Sequence, residues 1–103
     1  MKKFYWRIRG FDGSTQVFER TVEIGQFTYN QIQHLLKALV AKAGLDNDEM
    51  IGAYAKRGTK IANDHLAIVK DFESPTYMCG SNPHFVAAVI DEHGKITRYS
   101  KLS

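Results

Sequence analysis

The sequence predicts an α+β domain: an antiparallel sheet built from an N-terminal and a C-terminal hairpin, packed against one long amphipathic helix, with a second short helix possible. Three observations carry this reading. Thr28 to Gly44 repeats apolar residues at helical spacing between capping residues. Lys3 to Ile24 forms two alternating stretches around Asp12-Gly13-Ser14. Phe85 to Leu102 forms two more around Glu92-His93-Gly94.

In the first stretch, Phe4, Trp6 and Ile8 alternate with Tyr5, Arg7 and Arg9, the period of a strand. Phe18, Val22 and Ile24 keep phase in the second. A two-residue loop at Asp12-Gly13 would set Arg7 against Phe18 and mix the faces. A loop of odd length centred on Gly13 pairs Ile8 with Phe18 and Phe4 with Val22, and sets Arg7 against Glu19 and Lys3 against Glu23. This register is preferred. It leaves Arg20 on the apolar face opposite Trp6, where it can stack on the indole, occupy a bulge or lie beyond the helix.

Ile32, Leu35, Leu36, Leu39, Val40 and Ala43 then form one helical stripe. Thr28 and Gln31 have the spacing of a capping box. Lys42 suits the negative end of the helix dipole, and Gly44 the left-handed position that ends a helix. Asp46 with Glu49 predicts a second cap, followed by a short helix with Met50, Ile51 and Tyr54 on one face, ending near Gly58. A strand over 51–57 is the competing reading. Ile61, His65, Ile68, Val69 and Phe72 fit helical spacing, but Leu66 to Asp71 is preferred as a strand; Thr76 to Cys79 reads as another, and Gly80-Ser81-Asn82-Pro83 as a loop. Phe85 to Asp91 is apolar on both faces and is expected in the centre of the sheet. A three-residue loop with Gly94 in the left-handed position pairs Ile90 with Ile96 and Ala87 with Tyr99, making Ile96 to Leu102 the last strand.

A chain of 103 residues is enough for one domain, 1–103. Its 44% apolar and 12% aromatic content predicts a packed core. One cysteine, Cys79, excludes an intrachain disulfide and points to a reducing compartment. Arg7 and Arg9 interrupt any signal-like apolar run, and no run has the length that spans a bilayer. A cytoplasmic location and no membrane partner are expected. The net charge of +3 is spread along the chain.

No motif in the chain specifies a chemistry. Cys79 and His84, flanking a loop, are the residue types of a nucleophile and base, but their spacing matches no catalytic signature. A buried, inert cysteine is the plainer reading. His34, His65, Cys79, His84 and His93 show no paired metal-ligand spacing. Gly10-Phe11-Asp12-Gly13 lacks the lysine and helix of a phosphate loop. No catalytic residue, cofactor or metal is expected.

Phe4, Tyr5, Trp6, Phe11 and Phe27 are more aromatic surface than one helix covers. The chain is therefore read as a small non-enzymatic binding or protein-interaction module, self-associating as a homodimer or taking a small-molecule or protein partner. Tyr5, Trp6, Arg7, Arg9, Arg20, Phe27 and Tyr99 are its expected surface. The alternative is a nucleic-acid-binding domain, because a sheet face that mixes aromatics with cations can stack bases and hold phosphates. A cysteine-dependent enzyme is the third reading.

Overall fold

The computed structural model describes residues 3–81 and 83–98. The elements in chain order are β1 (Phe4–Asp12), β2 (Thr15–Glu23), α1 (Tyr29–Gly44), α2 (Asn47–Tyr54), β3 (Ile68–Lys70), β4 (Thr76–Gly80) and β5 (His84–Asp91). The five strands form one antiparallel sheet in the order β2-β1-β5-β4-β3. The α+β class follows as expected, and β5 sits in the middle of the sheet. It is apolar on both faces because both are buried along it: Ala87 and Val89 on one side, Ala88 and Ile90 on the other.

The first hairpin corrects the expected register by two residues. Trp6 pairs with Val22, Ile8 with Arg20, and Gly10 with Phe18. The turn holds only Gly13 and Ser14, since Asp12 pairs with Thr15. A two-residue turn there shifts the parity of the pairing. A bulge between Gly10 and Phe11, which leaves Val17 as the extra residue on β2, shifts it back. The faces therefore stay as predicted although the partners move. Arg7 meets Thr21 rather than Glu19, and Arg20 stands opposite Ile8 rather than Trp6.

Both predicted capping boxes form. Thr28 Oγ1 accepts from the Gln31 N–H while Gln31 Oε1 accepts from the Thr28 N–H. Asp46 and Glu49 repeat the arrangement at α2. Along α1 the buried line is Ile32, Leu36, Val40 and Ala41, with Leu35 and Leu39 at its margin. Ala43 is exposed, because the stripe drifts around the helix and its last turn passes the edge of the core. Each of the three large buried residues contributes about 2 kcal/mol by leaving water. Gly44 is the last helical residue and is not left-handed. Its need is space: a Cβ there would lie 2.7 Å from Pro83.

The short helix α2 stops at Tyr54 and turns a different face inward from the one expected. Met50 and Ala53 pack against the core, whereas Ile51 and Tyr54 are exposed. The reason is Gly52. Its backbone lies so close to the 61–63 segment that an added Cβ would fall 2.2 Å from the Ile61 carbonyl oxygen. Asn63 closes the contact, donating from its backbone N–H to the Gly52 carbonyl (3.1 Å) and from Nδ2 to the Glu49 carbonyl (3.0 Å).

The strand expected over Leu66 to Asp71 is only Ile68–Lys70, since Leu66 lies in the turn closed by the Ala67 N–H donating to the Asp64 carbonyl (3.0 Å), and its side chain is buried in the core. At the other end Gly94 has φ +81°, as its loop position requires. The Asp91 carboxylate accepts from the backbone N–H groups of His93 (2.8 Å) and Lys95 (3.0 Å). These bonds favour the charged carboxylate and hold it below the usual carboxylate range, the Lys95 bond foremost. Ile96 meets Ile90 as predicted, but only as a single bridge, so no strand is assigned from Ile96 to Arg98. The expected pairing of Ala87 with Tyr99 lies outside the described residues.

Gly52→Ala is expected to lower unfolding stability by about 1–3 kcal/mol, because either α2 or the 61–63 segment must move to admit a methyl group. Urea denaturation followed by circular dichroism measures the loss. An unchanged midpoint would mean that this close approach is not maintained in solution.

Candidate functional site

The sheet has two unlike faces, and β1 shows why. Its even-numbered residues Trp6 and Ile8 join Tyr77, Cys79, Phe85, Ala87 and Val89 in a single buried cluster with α1 and Leu66. Its odd-numbered residues, Tyr5, Arg7, Arg9 and Phe11, point the other way. No residue of that opposite face belongs to the cluster.

Strand register assembles this second face, which is buried at Ala88 and Ile90 and exposed at Val69 and Met78. One row runs across the whole sheet: Glu19 of β2, Arg9 of β1, Val86 of β5, Met78 of β4 and Val69 of β3. Beside it lie Thr21, Arg7, Ala88 and Thr76, then Glu23, Tyr5 and Ile90. On its other flank Phe11 pairs with His84, and the two rings stack with centroids 5.0 Å apart at 14°. The Arg9 guanidinium carbon lies 5.7 Å from the centre of the Phe11 ring, within reach of a cation–π contact.

The face is thus divided. Cations and aromatic rings occupy β1 and the start of β5, and carboxylates stand beside them on β2. Apolar side chains continue to the far edge, where Val69, Thr76 and Met78 line a shallow depression of about 290 Å³ with Lys70 and Asp71. Ala88 and Ile90 are buried in the central strand beside Arg7 and Tyr5. Arg7 reaches over the end of the sheet and donates from Nη1 to the Gly94 carbonyl at 3.4 Å. Its Nε is buried and has no hydrogen-bond partner among the described residues.

The residues expected to share a surface do not all share one. Tyr5, Arg7 and Arg9 lie together, half-buried, on the face opposite α1. Trp6 lies on the other side of the sheet and is 0% exposed, so it is a core residue and not a contact surface. Arg20 is exposed beside Ile8 on the helix-facing side, and Phe27 is half-buried in the connection before α1. Tyr99 lies outside the described residues. Sequence reasoning left Phe11, His84, Val86, Met78 and Val69 out of this surface. Phe11 has the parity of Tyr5, Arg7 and Arg9. The other four become visible only when β5 is placed beside β1.

Cys79 and His84 do not form a pair. Cys79 faces α1 within the core, and His84 stacks on Phe11 on the opposite face. Burial pushes the Cys79 thiol above its ordinary range, and Lys37 only partly offsets this. His65 instead contacts Glu49 at 3.5 Å, and His93 contacts Glu92 at 3.9 Å. Among the described residues no three His, Cys, Asp or Glu side chains gather as metal ligands would. No described helix is long and apolar enough to cross a membrane.

Cys79 is expected to resist thiol reagents in the native state and to react after denaturation. Its raised folded-state pKa also has a sign. The contribution is fully present below the ordinary thiol value of about 9 and is lost as pH rises towards the folded value. Stability measured across that window should fall more steeply for the wild type than for Cys79→Ala. Equal slopes would show that the thiol is not held neutral by the fold.

Comparison with protein-family models, with curated proteins and with solved structures finds no match to this chain.

Proposed function

We propose that this chain is a non-enzymatic interaction module that associates with a second copy of itself through the sheet face opposite α1. The supporting observation is the apolar end of that face. Met78 is 40% exposed and Val69 63% exposed, side by side and continuous with Val86. Apolar side chains that align in register on an uncovered sheet lose water when a second surface covers them.

Size and charge support a second copy as the occupant. Strands spaced about 4.8 Å apart and rising about 3.3 Å per residue give this sheet a face of at most roughly 600 Å². That is about what one partner buries in the smaller stable interfaces. Arg7 and Arg9 on β1 lie next to Glu19 and Glu23 on β2, so two copies related by a two-fold axis can set cations against carboxylates.

Nucleic-acid binding is the second reading, favoured by the gathering of Tyr5, Arg7, Arg9, Phe11 and His84 on one face. Two features weigh against it. Glu19 and Glu23 stand across from Arg9 and Tyr5 in the register. Phe11 is already engaged by His84 and Arg9 rather than free to receive a base.

Sedimentation equilibrium on the full chain is expected to give a dimer at tens of micromolar. Met78→Glu should shift it to monomer without lowering stability, since the side chain faces water in the single chain. A monomeric wild type would overturn the proposal. Salt-dependent binding of a single-stranded oligonucleotide by that monomer, lost in Arg9→Ala, would favour the second reading instead.

A further inference from the structure

A second surface stands apart from the sheet. From Met50 to Asn63 the chain carries three cations, Lys56, Arg57 and Lys60, and no carboxylate. A turn presents all three to solvent. The Thr59 N–H donates to the Lys56 carbonyl at 3.3 Å, the Thr59 hydroxyl donates to the same oxygen at 2.8 Å, and Gly58 takes φ +88°. The nearest acidic residues on α2, Asp48 and Glu49, lie in its first turn, about 8–9 Å along the helix axis from its end. Glu49 is directed to His65. Asp64 follows the segment.

Exposed apolar side chains flank the cations. Ile51 and Tyr54 are 59% and 65% exposed, and their i, i+3 spacing puts them on one face of α2. Ile61 is 61% exposed, and its backbone lies against Gly52, next to Ile51. Water gains nothing from these three side chains. The fold nevertheless holds them outward, because the Gly52 contact with the 61–63 segment fixes how α2 is rotated.

We propose that this segment docks on an anionic phospholipid surface. The cations meet the headgroups, and Ile51, Tyr54 and Ile61 enter the boundary between headgroups and acyl chains. A nucleic-acid backbone would use the cations alone and leave the two isoleucines without a role. A lipid interface uses both, because binding there sums apolar burial and attraction to anionic headgroups, and tyrosine suits the headgroup level. The sequence reading expected no membrane partner on the ground of spanning length, and a surface contact needs no span.

Co-sedimentation of the full chain with vesicles tests the proposal. Binding is expected to vesicles of mixed phosphatidylserine and phosphatidylcholine, to fall steeply with added salt, and to be absent with phosphatidylcholine alone. Each cation removed should weaken binding about five-fold. Lys56→Gln with Lys60→Gln should therefore weaken it by roughly 25-fold. Ile51→Ser with Ile61→Ser should weaken binding at every salt concentration. All four positions are exposed, and an unchanged thermal midpoint confirms that each variant folds. No binding to the anionic vesicles overturns the proposal. So does binding that survives the Ile51→Ser and Ile61→Ser changes, or cation-dependent binding to an oligonucleotide without binding to vesicles.

Discussion

The indole N–H of Trp6 donates to the Phe27 carbonyl at 3.2 Å, and much of the structure depends on that bond. An indole with no exposure must find an acceptor, because a buried donor left unpaired costs about 1–3 kcal/mol. Phe27 supplies one since its backbone is extended between the short 3-10 turn Ile24–Gln26 and the cap at Thr28. The bond therefore fixes where the chain leaves β2 and where α1 begins. Tyr29, the first residue of α1, meets the same indole edge-on with ring centroids 5.8 Å apart, and Tyr77 of β4 lies 6.2 Å away. In the sheet Trp6 is flanked by Val22 and Val89. One side chain thus joins three strands, the connection and the helix.

Once Trp6 faces α1, strand alternation places every other residue of β1 on the far side of the sheet. That side receives Tyr5, Arg7, Arg9 and Phe11, and register adds His84, Val86, Met78 and Val69. The proposed association surface is thus a consequence of where the core lies. The Gly52 contact acts similarly at smaller scale. By setting the rotation of α2 it turns Met50 and Ala53 inward and leaves Ile51 and Tyr54 in solvent. In both places a close-packed interior determines what the exterior offers.

Local chemistry was legible in the sequence. The Thr28–Gln31 and Asp46–Glu49 boxes, the α1 stripe, the Gly94 loop and the central place of β5 are each encoded by neighbouring residues. Pairings between distant segments were not. A bulge at Val17 leaves no compositional mark, so the register of the first hairpin was displaced although its faces were right. The adjacency of β1 and β5 depends on the whole topology, and with it the stacking of Phe11 on His84. Trp6 reads as a surface residue from composition alone, because its covering by Tyr29, Tyr77 and α1 is made by segments distant in sequence. Gly44 reads as a left-handed helix stop, yet its reason is the proximity of Pro83, again a contact between segments far apart in sequence.

The central claim is that the exposed apolar end of the sheet face opposite α1 is completed by a second copy. Methyl NMR across a dilution series tests it at the residues concerned. The account predicts that the methyl signals of Met78, Val69 and Val86 move with concentration while those of Ile32 and Val40, inside the core, stay fixed. Signals of Met78, Val69 and Val86 that do not change from dilute to concentrated solution would contradict it.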